Sequence, residues 1–256
     1  MIISLFLIGL FSGIVTGLLS IGGGIILIFS LMIIPPLLLN TQFSMHTIFS
    51  FSIMQGFFSS LSGGYYYISN QLVDKKIIFM LGIPAMFGGT IGVLFANQIS
   101  DFNLRILFAT LAIISAILMQ IPTNKAEDPT PIPKNKKVWT VSIIFGVLIG
   151  ILGGMVGLSA GFIFVPLMIF FYKLPIKMSI GTSLITCFLL SAGSLVSKLS
   201  MRDIDFGQVA VLIVGGIIGA QIGGRITKKL KSITLKRIAA YSILLVSCKL
   251  YYDLFV

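Results

Sequence analysis

The groups best placed to do chemistry in this chain are backbone amides. Two short segments, Ser20-Ile-Gly22-Gly23-Gly24 and Gly157-Leu-Ser159-Ala160-Gly161, each interrupt an apolar stretch. Glycine leaves its N–H open to approach because it has no Cβ. A helix that starts at Gly24 or Gly161 exposes up to about four unpaired N–H groups and the positive end of its dipole. Such an end suits an anion. The candidate donors are Gly22, Gly23 and Gly24 at the first break, with Ser20 beside them, and Ser159, Ala160 and Gly161 at the second. Side-chain candidates are the hydroxyls of Thr182 and Ser183, His46 (the sole histidine), and Thr90 and Gln221 within apolar runs. Each has a plainer reading. Hydroxyls cap helices, and a single histidine near a helix end sits well at a membrane interface.

The acidic residues narrow the chemistry further. All seven, from Asp74 to Asp253, fall near loops or segment ends. A cation pathway through a membrane normally uses a buried carboxylate, and none is embedded here. No set of nucleophile, base and acid is present either, so an enzyme is disfavoured. The two cysteines, Cys187 and Cys248, are far apart and lie in apolar runs. They read as packing residues, with no metal, disulfide or other cofactor implied.

These residues must be held by membrane elements. The chain is 57% hydrophobic and 10% charged, with a mean hydropathy of +1.09, and several runs reach the roughly 20 apolar residues that span a bilayer. It reads as an all-α polytopic membrane protein in contact with lipid. The net charge of +11 belongs to the cytoplasmic ends of helices, with no nucleic-acid partner implied. No charge precedes Asp74, so the first stretch reads as a retained helix and not a cleaved signal.

The breaks recur at a fixed interval. Adding 137 to Gly9, Gly13, Gly17 and Gly24 gives Gly146, Gly150, Gly154 and Gly161. Farther on, Gly88-Gly-Thr-Ile-Gly92 falls on Gly219-Ala-Gln-Ile-Gly223 at an offset of 131, which makes Thr90 and Gln221 equivalent. A length difference of six therefore lies between the second and fourth pieces. At the offset of 137, Gly181-Thr-Ser183 would face Ser44-Met-His46. Gly9, Gly13, Gly17 and their partners read as close helix packing of the small-xxx-small kind.

Each repeat divides into about five apolar pieces. The first has 2–20, 24–39, 43–68, 76–98 and 103–121; the second has 138–157, 161–173, 178–199, 206–226 and 234–256. Residues 1–121 and 138–256 form the repeats, and the Pro- and charge-rich 122–137 is a linker. The second piece of each is short and reads as a half-helix or re-entrant arm. If each break reverses the chain, fourteen Lys and Arg collect on one side and four on the other; straight crossing gives nine and nine. The positive-inside rule selects the first. The repeats are then inverted, with both termini outside, the linker in the cytoplasm, and the two half-helix starts meeting near mid-membrane.

Several motifs resemble the TauE/SafE family. Repeat two carries Gly150, Gly154, Gly157 and Gly161, then Val165-Pro166-Leu167, then Ile180-Gly181-Thr182-Ser183; repeat one carries Gly17 and Gly22-Gly23-Gly24. Ser159 and Ala160 stand where the pattern has glycines, Phe29 where it has proline, and Ser44-Met-His46 where it has Gly-Thr-Ser. The resemblance implies a secondary transporter in a cytoplasmic membrane, exporting sulfite or another sulfur oxyanion or organosulfonate by alternating access. An anion channel and a non-transporting scaffold are the rivals, and the sequence leaves room for a homo-oligomer.

Overall fold

A computed structural model describes residues 2–20, 23–39, 43–120, 136–158, 160–199 and 206–231, with scattered positions to 244. Among these residues every regular element is helical. We number them α1 (Ile2–Leu19), α2 (Gly23–Leu39), α3 (Met45–Ser69), α4 (Lys75–Ala96), α5 (Asp101–Gln120), α6 (Lys136–Met155), α7 (Gly161–Phe170), α8 (Ile176–Leu199) and α9 (Phe206–Lys229). Each boundary falls within about three residues of the sequence expectation. The last expected piece, 234–256, and the 122–135 stretch of the linker lie outside the continuously described residues.

Five helices, α1, α4, α6, α8 and α9, are long and apolar enough to cross a membrane. With ten residues, α7 covers about 15 Å and falls short of a roughly 30 Å hydrocarbon core. Ser44 caps α3 by accepting from Thr47 N–H, and Asp74 caps α4 by accepting from the N–H groups of Lys76 and Ile77. Within α4, a π turn at Ile78–Gly82 precedes Pro84, whose ring cannot supply an amide to a regular ladder.

Glycine seams hold the bundle together. Along α1, Gly9, Gly13 and Gly17 face Leu212, Gly216 and Ala220 of α9, where an added Cβ would lie 2.4, 2.4 and 2.0 Å from carbonyl oxygens. Along α6, Gly146, Gly150 and Gly154 face Leu81, Ala85 and Gly89 of α4, with corresponding distances of 2.7, 2.5 and 2.4 Å. Adding 131 to 81, 85 and 89 gives 212, 216 and 220, so the two seams are the same contact made twice. The close-packing expectation for these six glycines holds.

Contact order also gives direction. In both seams the residue numbers rise together, so α1 runs with α9 and α6 with α4. Gln55 reaches Ser12, and Tyr67 Oη lies 2.9 Å from the Gly17 carbonyl, so α3 runs with α1. Gly82 meets Thr186 and Gly89 meets Ser194, so α4 runs with α8. Against this, α3 and α8 cross antiparallel: Phe57 stacks near Phe188 at 4.9 Å, while Gly64 meets Ile185 and Tyr67 meets Gly181. Because α1 and α3 run the same way, α2 must bring the chain back between them, and α7 does the same between α6 and α8.

Phe57 and Phe188 are equivalent at an offset of 131, as are the residues preceding α3 and α8, Ser44 and Pro175. The third helices therefore follow the 131 register. The expected pairing of Gly181-Thr-Ser183 with Ser44-Met-His46 is corrected: Thr182 and Ser183 correspond to Phe51 and Ser52, and His46 to Lys177. The six extra residues lie between the start of α2 and the start of α3, where α2 continues seven residues longer than α7.

Candidate functional site

The breaks are shaped by left-handed residues. After α6, Gly157 takes φ +64°. Its N–H donates to the Gly154 carbonyl at 3.2 Å, and that of Leu158 to Gly153 at 2.8 Å. This is the Schellman pattern, which uses up carbonyls that the helix end leaves open. After α1, Ser20 takes φ +55° and donates to the Thr16 carbonyl at 2.7 Å. Ala160 enters α7 at φ +50°, a conformation that costs a non-glycine residue about 1 kcal/mol. That geometry accounts for glycine in the family pattern at this position.

The two breaks interlock. A Cβ on Gly161 would fall 1.7 Å from the Ser20 carbonyl oxygen, and one on Gly24 would fall 2.8 Å from Leu158 Cδ2. Between them lies a cavity with room for about one water molecule. Its polar lining comes from Thr16, Ser20, Ser60 and Cys187, with Gly24 and Gly161 opening its walls, and none of its lining residues is charged. No side chain caps the start of α7. Ser20 Oγ donates to Ser183 Oγ at 3.1 Å, and Cys187 Sγ stands 3.9 and 3.8 Å from these two oxygens. The arrangement offers hydroxyls, a thiol and two helix starts to a solute.

Ser20, Gly24, Ala160, Gly161 and Ser183 are thus brought together. Gly23 is the first residue of α2, whereas Gly22 and Ser159 lie outside the described residues. Four other candidates stand elsewhere. Thr182 Oγ1 accepts from Asp74 N–H at 2.9 Å and tethers the loop before α4. Thr90 Oγ1 lies 3.1 Å from the Gly193 carbonyl, and Gln221 Nε2 donates to the Ser62 carbonyl at 2.6 Å. Residues 62 and 193 are again 131 apart, so Thr90 and Gln221 make equivalent ties between helices. His46 begins α3 and pairs with Asp101 Oδ1 at 3.4 Å; Asp101 Oδ2 also accepts from Met45 N–H. Along α3, His46 lies about 20 Å from Ser60, too far to share one small solute with it.

Sequence reasoning missed Thr16, Gly56, Ser60 and Leu158 at the cavity, and it read Cys187 as packing alone. The available signal was α3 itself, whose serines at 50, 52, 59 and 60 make it unusually polar for a buried helix.

Comparison with known proteins is decisive at the level of family. Residues 5–250 match the family described as "Sulfite exporter TauE/SafE". The chain belongs to the TauE/SafE family. Three relatives from Bacillus subtilis (strain 168) accord with this. "Probable membrane transporter protein YunE" is 26% identical over 266 residues, covering 97% of each chain. "Probable membrane transporter protein YdhB" is 27% identical over 226 residues, covering 88% of this chain and 89% of its own. "Probable membrane transporter protein YjnA" is 24% identical over 260 residues, covering 96% and 98%. No solved structure matches significantly. This TauE/SafE protein is therefore a multi-pass membrane protein of a transporter family.

Proposed function

We propose that this TauE/SafE protein is a secondary transporter that moves a small anion, a sulfur oxyanion such as sulfite or an organosulfonate, outward across the cytoplasmic membrane. The observation that carries the reading is the cavity where two helix starts meet, whose polar lining is the hydroxyls of Thr16, Ser20 and Ser60 with the Cys187 thiol and whose lining has no charged group. Hydroxyls beside two helix starts favour an anion. The family description supplies the sulfur oxyanion. The solute would contact the amides around Gly22 to Gly24 and Ser159 to Gly161, with Ser20 and Ser183 as hydroxyl neighbours.

Alternating access is the mechanism we infer. The matched seams and the antiparallel α3–α8 crossing support two inverted repeats, 1–121 and 138–256, related by an axis passing between Phe57 and Phe188. Rocking about that axis would expose the cavity to each side in turn. The charge asymmetry supports outside termini and a cytoplasmic 122–137 linker. The closeness of the cavity walls suits a carrier caught occluded more than an open channel.

Counterflow in proteoliposomes tests the reading, with radiolabelled sulfite, thiosulfate and a small sulfonate offered separately. Saturable exchange of one of them is expected. Flux without saturation or counterflow would favour a channel, and no flux of any would leave the fold without this function.

A further inference from the structure

Equivalent serines stand beside the two breaks, yet one of them lacks a hydrogen-bond partner. Ser52 on α3 and Ser183 on α8 are equivalent at the offset of 131, and both are fully buried. Ser183 receives a hydrogen bond from Ser20. The equivalent of Ser20, at the offset of 137, is Gly157, which has no side chain. A Cβ at Gly157 would fall 2.3 Å from Phe49 Cβ, so no hydroxyl can be housed there. Ser52 Oγ is left with no hydrogen-bond partner. Two other serines on α3 donate to carbonyls of their own helix, Ser50 to His46 at 2.7 Å and Ser60 to Phe57 at 3.2 Å, while Ser59 is also left without a partner. Ser52 does not take that route.

Its hydroxyl faces the start of α2. A Cβ built on Gly24 would stand 3.4 Å from Ser52 Oγ. The first amides of α2 have no carbonyl one turn back to receive them, and Gly24 lines the cavity. A buried hydroxyl without a partner is costly, more so inside a membrane. Here that hydroxyl and the start of α2 approach from two helices, which suits an acceptor carrying several oxygens.

We propose that Ser52 donates to the transported oxyanion, together with the amides at the start of α2, so that the anion sits on the α2 side of the pseudo-twofold axis and not on it. The α7 side is closed by the Ser20–Ser183 bond. This inference rests on the anion-transport reading above. It differs from that reading in naming one arm and one side chain.

The test uses the purified full-length chain, with thermal-shift titrations of sulfite, thiosulfate and chloride alongside counterflow. Wild type should be stabilised by an oxyanion and should exchange it. Ser52→Ala should lose about tenfold or more in apparent affinity, Ser52→Thr should keep most of it, and Ser50→Ala, whose hydroxyl bonds its own helix, should remain close to wild type. Without anion, Ser52→Ala should melt no lower than wild type, because it removes an unpartnered oxygen; a lower melting point would mark a structural serine and overturn the proposal. Binding and exchange by Ser52→Ala at wild-type affinity would also overturn it, leaving the transport reading intact. So would an equal loss in Ser50→Ala, or a response to chloride alone. A wild type that neither binds nor exchanges any of the three would bring down the transport reading and this inference together.

Discussion

The α1–α9 and α4–α6 seams are the same contact made twice, whereas the two breaks beside them differ. In the seams, glycine meets the backbone of Leu212, Gly216 and Ala220 on one side, and of Leu81, Ala85 and Gly89 on the other. At the breaks, Ser20 stands opposite Gly157 in the duplication, and Ser183 is satisfied where Ser52 is not. Packing has kept the pseudo-symmetry that lets backbones touch. The polar groups around the cavity have departed from it: Ser20 bonds Ser183, while Gly157 has no side chain to offer Ser52.

The largest effects should come from breaking the seams. A Cβ at Gly17 would fall 2.0 Å from the Ala220 carbonyl, and one at Gly154 would fall 2.4 Å from that of Gly89. Backbone cannot swing aside as a side chain can. Gly17→Val and Gly154→Val should each destabilise by at least the about 1–3 kcal/mol of ordinary overpacking, read as lost monodisperse protein and a lower melting temperature. Similar losses in the two would uphold the equivalence, and a loss in one alone would break it.

The breaks should separate where the seams do not. Gly161 approaches the backbone oxygen of Ser20, while Gly24 approaches the far end of Leu158, a flexible side chain. Gly161→Val should therefore damage folding and exchange together. Gly24→Val should leave a monodisperse protein that has lost exchange, because its side chain fills the cavity. Equal melting points in the two variants would remove this asymmetry.

Much of the frame was legible in the sequence because it is written in spacing. The seam glycines recur every four residues, and the duplication appears as a constant offset. Apolar length gave helix ends to within a turn. The site was less legible because its members are scattered. Thr16, Ser60 and Cys187 come from three helices, and only the crossing of α3 with α8 and α1 brings them to one cavity. The register at His46 failed for a related reason. The six-residue difference lies between the start of α2 and the start of α3, and the glycines that anchor the count lie on either side of it.

Thr90 and Gln221 should give smaller effects. Each ties its helix to a carbonyl on a neighbouring helix at equivalent positions. Interhelical hydrogen bonds in membranes contribute about 0.6 kcal/mol on average. Thr90→Val and Gln221→Leu should lower the melting temperature slightly and leave the KM for exchange unchanged. A raised KM in either would draw that residue into the solute path.

The smallest effect should be at His46. Its pair with Asp101 is partly exposed, at 36% and 41% of the side-chain surface. Such pairs contribute about 0–1 kcal/mol. A lone histidine in a transporter invites a proton-carrying role, but Asp101 holds it at the start of α3, about 20 Å along the helix from the cavity. Thr16, Ser20 and Ser60 face that cavity, and His46 does not. His46→Gln should therefore leave both the rate of exchange and its pH profile unchanged, with a slightly lower melting temperature. A profile that lost an inflection in this variant would mean the solute path runs the length of α3, and the contrast between the cavity and the helix ends would have to be redrawn.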